Sequence, residues 1–122
     1  MRSRVQRRSY GSVTVFWLDR EGALRAVQEG AERLGLARPE VLYVGLFGSL
    51  ADGRAVPGSD ADVIVLVSES ARRPLDRPLD YLPYFDDVGL GVDLFIYTPE
   101  ESERIPLARS ALARARPLWQ RS

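Results

Sequence analysis

Apolar positions along the chain follow two different periods. Residues 12–18 (Ser-Val-Thr-Val-Phe-Trp-Leu) are β-branched and aromatic and predict a strand. The apolar runs 41–47, 61–67 and 92–97 predict three more. Between the first two strands the period changes: Ala23, Leu24, Val27, Ala31 and Leu34 fall on one helical face, with Arg25, Glu29, Glu32 and Arg33 opposite. Asp19 is placed to cap that helix, and Gly35 followed by Pro39 is placed to end it. Residues 68–91 keep no period, because Pro74, Pro78 and Pro83 interrupt them, and a short kinked helix is expected near 78–86.

Helix signals return towards the C-terminus. Thr98-Pro99-Glu100-Glu101 is a capping box with proline at the first helical position. Pro106 should restart a second helix, with Leu107, Ala108, Ala111, Leu112 and Ala115 inward and Arg109, Arg114 and Arg116 outward. There is no internal repeat and no linker, so residues 1–122 are expected to form one domain of the α/β (α+β) class. Residues 1–10, with Arg2, Arg4, Arg7 and Arg8, are expected to be a disordered, solvated tail.

Composition excludes more chemistry than it invites. Without Cys there is no disulfide framework, thiolate nucleophile or cysteine zinc site, and without His the commonest general base is missing. All 17 basic residues are Arg, which removes a Walker-type lysine and Schiff-base chemistry. Carboxylates, hydroxyls, guanidinium groups and backbone amides remain, a set suited to metal-assisted phosphoryl or nucleotidyl transfer. The formal net charge of +0 gives no global basic field, so nucleic acid is not an expected partner. No apolar stretch reaches membrane-spanning length and no secretory signal is present, so no membrane association is expected and the cytoplasm is the expected location.

Into this reduced inventory falls one distinctive stretch. Gly48-Ser49 follows an apolar run, and after ten further residues Asp60-Ala61-Asp62 opens the next. Alternate residues of a strand point to the same side, so Asp60 and Asp62 should lie together. Paired carboxylates repel, and without a cation between them one tends to take up a proton. Mg²⁺ relieves that conflict and usually arrives with substrate phosphates. Gly48, lacking Cβ, lets backbone approach a ligand, and Ser49 offers an amide and a hydroxyl to phosphate oxygens. Asp93, second residue of the run 92–97, adds a third carboxylate if its strand lies beside that of Asp62. Three oxygen ligands with open positions suit a two-metal site, and Asp93 is the candidate to accept the proton of an incoming hydroxyl.

Gly48-Ser49, ten residues, then Asp60-Ala61-Asp62 resembles the GSX10DXD motif of nucleotidyltransferases of the DNA polymerase β superfamily, and Asp93 in Val-Asp-Leu-Phe corresponds to its third metal aspartate. The short chain is most similar to the minimal nucleotidyltransferases, many of which are antitoxins paired with a HEPN-domain toxin. The resemblance implies a mixed β-sheet of about four strands with helices mainly on one face. It implies two Mg²⁺ ions on Asp60, Asp62 and Asp93, and ATP as nucleotide donor held by Gly48, Ser49, Ser59 and Arg54. It also implies transfer of AMP to a hydroxyl, in some antitoxins a tyrosine of a HEPN-type helical partner protein. One position departs from the pattern. The family usually carries Ala-Arg-Gly after the Gly-Ser turn, whereas this chain has Ala51-Asp52-Gly53 and then Arg54. A carboxylate near the phosphate path weakens triphosphate binding unless Arg54 substitutes.

Plainer readings stand beside these. Gly48 and Gly53 could be turn glycines only, and Asp60 could cap its own turn. Asp62 and Asp93 are harder to explain so, because Asp is depleted in strands. Tyr81, Tyr84 and Phe85 fit core packing, or a patch for a partner, better than base stacking. A binding module that neutralises a HEPN-type partner by contact, its metal site degenerate, is the alternative to the enzyme. Small-molecule modification, as in aminoglycoside nucleotidyltransferases, would need a second domain for the acceptor. A homo-oligomer is also compatible with the chain.

Overall fold

In a computed structural model of the chain, residues 3–122 are described. The element order is β1 (Val5–Tyr10), β2 (Val13–Leu18), α1 (Arg20–Ala37), β3 (Val41–Phe47), α2 (Gly48–Asp52), β4 (Ala61–Val67), α3 (Pro78–Tyr81), β5 (Val92–Tyr97), α4 (Pro99–Arg104), α5 (Pro106–Arg114) and β6 (Arg116–Gln120). Short 3₁₀ turns at Pro74–Asp76 and Leu82–Phe85 flank α3.

Four strands form a mixed sheet in the order β5-β4-β3-β6. β3 is antiparallel to β4 and to β6, whereas β4 and β5 run parallel. A parallel pair needs a crossover, which is why the proline-broken segment between β4 and β5 is long. Side-chain alternation sorts the strands onto two cores. Val44, Leu46, Val63, Val65, Leu94 and Ile96 pack with Val27, Ala31 and Leu34 of α1 and with Tyr81, Phe85 and Val88 of the crossover. On the opposite face Phe47, Ile64 and Tyr97 form a smaller core with Ala108 and Ala111 of α5. Most helical packing therefore covers one face, as a sheet with one large core requires.

The helix signals act as their chemistry dictates. Asp19 accepts a hydrogen bond from Gly22 N–H at 3.1 Å, and Ala23, Val27, Ala31 and Leu34 are fully buried. Thr98 and Glu101 make the reciprocal capping box. Below that box lies a buried ion pair: Arg77 holds both carboxylate oxygens of Glu101 at 2.7 and 3.2 Å and donates to the Ile96 carbonyl at 3.1 Å. Arg77 keeps the Glu101 carboxyl down at about 2, below its ordinary 4.5, even though burial pushes the other way.

Three expectations are corrected. Residues 5–10 form a strand rather than part of a disordered tail, while Met1 and Arg2 lie outside the described residues. β1 is polar, but its backbone pairs with the β-rich β2 across a two-residue connection in which Gly11 takes φ +59°. Arg4 then fastens the root of the hairpin, its N–H donating to Gly89 O at 3.2 Å and its Nε to Val88 O at 3.0 Å. The last helix stops at Arg114, and residues 116–120 are a strand beside β3. Arg116 precedes Pro117, which disfavours helical backbone at Arg116, and proline is tolerated on an edge strand. Leu107, expected inward, is exposed, and Leu112 and Ala115 are only partly buried against the smaller core.

Candidate active site

The site forms where three strand ends meet. Phe47, last residue of β3, is the register partner of Asp62 in β4, and Asp62 is the register partner of Asp93 in β5. In-register residues on parallel strands share a face, so Asp62 and Asp93 stand side by side. Asp60 precedes β4, and there the Ala61 N–H donates to Gly91 O at 2.8 Å, tying the entry of β4 to the entry of β5.

Two glycines make room for the carboxylates. Gly48 adopts φ +77°, and a Cβ on it would collide with Asp62 Oδ2. A Cβ on Gly91 would collide with Asp60 Oδ1. Gly48 therefore serves two ends: it turns the chain from β3 into α2 and opens the space that Asp62 occupies. Gly91 is a position of the candidate site that sequence reasoning missed, although its place two residues before Asp93 was a signal that could have found it.

The charges of Asp93 and Asp60 reach Asp62. The Asp62 carboxyl is pushed above its ordinary value, first by partial burial, then by the charge of Asp93 and then by that of Asp60. Among the described residues no three acidic side chains are drawn into a closed metal cage. The donor set nevertheless fits a hard divalent cation, being oxygen only, arrayed across adjacent strand ends, and seated where glycines leave space. The raised Asp62 carboxyl is the electrostatic cost that such an ion would relieve.

The other expected residues sit close by with local partners. Ser49 lies half-buried in the first turn of α2. Gly53 ends that helix at φ +77°, and both its N–H and that of Arg54 bond to the Ser49 carbonyl. Ser59 Oγ accepts the Val56 N–H at 3.0 Å, so it closes its own turn and keeps its hydroxyl proton free to donate. Arg54 Nη2 pairs with Asp52 at 2.8 Å, both side chains largely exposed. The carboxylate at residue 52 thus compensates the guanidinium two residues on. Arg20 was missed by sequence reasoning, since the first residue of a surface helix gives no signal. Its Nη2 donates to Leu50 O at 3.3 Å, while its Nε is buried with no hydrogen-bond partner among the described residues. It binds the start of α1 to α2 and supplies a cation at the carbonyl end of that short helix.

Comparisons with known proteins agree with this fold. The family model for the nucleotidyltransferase domain matches residues 27–121. No curated protein matches the chain. A candidate nucleotidyltransferase from Sulfolobus solfataricus superposes with a TM-score of 0.60 at 21% identity, over 83% of this chain and 86% of that one. A chain from a toxin–antitoxin structure with AMP-PNP superposes with a TM-score of 0.54 at 18% identity, over 86% of this chain and 76% of that one. At these identities the likeness is one of fold. Together with the family match over most of its length, it follows that the chain belongs to the nucleotidyltransferase-domain family.

Proposed function

We propose that the chain is a Mg²⁺-dependent nucleotidyltransferase that moves a nucleoside monophosphate, AMP from ATP, onto an acceptor hydroxyl. The observation that carries this reading is the parallel register placing Asp93 beside Asp62, with Asp60 one step outside β4 and the charges of both Asp93 and Asp60 felt at Asp62. Asp60, Asp62 and Asp93 are the residues that would hold the two ions, which would neutralise phosphate charge and acidify the acceptor hydroxyl. Gly48 lets phosphate oxygens approach the backbone, and Ser49 supplies an amide and a hydroxyl as donors. Asp93 is the residue assigned to take the acceptor proton. The hydroxyl oxygen bonds to the α-phosphorus as the bond to the bridging oxygen of pyrophosphate breaks. Ser59 and Arg54 complete the nucleotide contacts, Arg54 only after release from Asp52.

The acceptor in this reading is a partner protein of the HEPN type, with the chain as antitoxin. Likeness in fold to a chain from a toxin–antitoxin structure supports a protein partner. The Asp52–Arg54 pair favours one second reading, a module that neutralises its partner by contact with little turnover.

The deciding experiment follows labelled AMP from ATP onto the co-purified partner with Mg²⁺ present. Transfer by the wild type and its loss in Asp60→Ala/Asp62→Ala is the expected result. Equal labelling by both proteins, or none by either, would sink the enzyme reading. Neutralisation that survives the double substitution would establish the contact reading.

A further inference from the structure

α1 begins beside α2, the short helix that carries Gly48 and Ser49, and its first residue is Arg20. Asp19 fixes the chain there from two sides: its carboxylate accepts the Gly22 N–H at 3.1 Å and pairs with Arg4 at 3.6 Å. The Arg20 side chain then lies along the far end of α2. Its Nη2 donates to Leu50 O at 3.3 Å, and the position a Cβ would take on Gly53 is 3.8 Å from the same atom. Arg20 precedes residues 27–121, the part that matches the family model, so the family likeness gives it no role.

Its guanidinium differs from the other cations at this end of the sheet. Arg54 is held by Asp52 at 2.8 Å and Arg4 by Asp19, whereas Arg20 forms no ion pair among the described residues. Its Nε is buried without a hydrogen-bond partner among them, and buried polar atoms left so are rare. Its Nη1 makes no hydrogen bond among them either. A guanidinium shielded from water on one side is weakly hydrated and attracts an anion more strongly than an exposed one does. The surroundings supply a need for it. A triphosphate brings its own negative charge to strand ends that already hold Asp60, Asp62 and Asp93, and two divalent ions do not offset that sum.

We propose that Arg20 binds the outer phosphates of the nucleotide, the pyrophosphate that leaves in the transfer. The inference rests on the proposed nucleotidyl transfer and names a residue of that same site. The five residues of α2 span about 7.5 Å, so a phosphate chain that starts against Gly48 and Ser49 reaches the guanidinium by running along the helix. Nη1 and Nη2 form the fork that matches two oxygens of one phosphate. The bond to Leu50 O uses one of the two Nη2 hydrogens, so it can persist when phosphate binds. Arg54 has to leave Asp52 before it meets phosphate, and Arg20 needs no such release. As the α-phosphorus loses its bridging oxygen, negative charge gathers on the pyrophosphate, and a fixed cation beside it favours that step.

Isothermal titration calorimetry of the full chain with Mg²⁺ tests this with three ligands: a non-hydrolysable ATP analogue, ADP and AMP, the weaker ones read by displacement. Arg20→Gln keeps a donor for Leu50 O without the charge. It should weaken the ATP analogue by about tenfold, the worth of one charge-assisted hydrogen bond. ADP should weaken nearly as much and AMP far less, because AMP has no outer phosphate. Arg20→Lys should recover part of the loss. Arg25→Gln, which removes the same charge from the exposed face of α1, should bind as wild type. Loss of all three ligands in equal proportion would make Arg20 a tie between α1 and α2 and nothing more, and would overturn the proposal. So would an Arg20→Gln protein that binds the ATP analogue like wild type. Either result leaves nucleotide binding standing. Wild-type protein that binds none of the three would instead contradict the nucleotide reading itself, and the proposal with it.

Discussion

Asp62 is held in a position its charge does not favour. Burial, Asp93 and Asp60 all raise its carboxyl, so the folded protein binds that proton more tightly than the unfolded chain. The sign follows: the folded state loses stability as pH rises from 3.8 through the raised value. Asp62→Asn should therefore raise the metal-free melting temperature at pH 7. Millimolar Mg²⁺ should stabilise the wild type and leave the variant unchanged, because a ligand that binds only the folded state stabilises it. Differential scanning calorimetry of the four combinations checks this, and an unchanged or lower melting temperature for metal-free Asp62→Asn would contradict it. Much of this site was legible in the sequence. Two aspartates at strand entries are costly enough to announce a use, and strand alternation places them. The pairing of Asp62 with Asp93 was not legible, since it depends on which strands become neighbours. Nor was the role of Gly91, which is set by where the Asp60 side chain turns.

Elements were readable where a local interaction decides them. Asp19 and Thr98 begin helices because a side-chain oxygen satisfies an otherwise orphaned N–H, and that can be read within four residues. β1 and β6 were not readable because their partners decide them. Gln6, Arg7, Arg8 and Ser9 give no apolar alternation, and β1 exists through its backbone ladder with β2. β6 is short and contains Pro117, and it is fixed by β3 and by Trp119 lying over Gly35, where a Cβ would meet the indole ring. The Arg77–Glu101 pair joins elements in the same non-local way, linking the crossover to the end of β5 and the start of α4. Arg77→Ala leaves Glu101 partly buried without its cation and should cost about 3 kcal/mol. Glu101 lies below its ordinary value, so its stabilisation is complete above pH 4.5 and disappears as pH falls towards about 2. Urea unfolding between pH 7 and pH 2 should show that acid-sensitive component in the wild type and its absence in Glu101→Gln. An equal pH dependence in the two proteins would contradict the assignment.

At the scale of the molecule, topology concentrates the candidate site at one end. α1 starts at the end of the sheet where β3 stops and β4 and β5 begin, so Arg20, α2 and the three aspartates adjoin. The hairpin rises from that same end. A sheet that is parallel only between β4 and β5 is what brings Asp62 and Asp93 into register. No helix among the described residues is long and apolar enough to cross a membrane. In the proposed reading an acceptor reaches the aspartates from beyond the strand ends, which is why a partner chain belongs in it.

The central claim is that these aspartates form a working nucleotide–metal site despite Asp52. Isothermal titration calorimetry of the full chain with Mg²⁺ and a non-hydrolysable ATP analogue tests it without needing an acceptor. The expected result is saturable binding to the wild type that needs Mg²⁺, is lost in Asp60→Ala/Asp62→Ala, and tightens in Asp52→Ala as Arg54 is released from its carboxylate. Wild-type protein that binds no nucleotide with Mg²⁺, or binds it equally well after Asp60→Ala/Asp62→Ala, would contradict the claim.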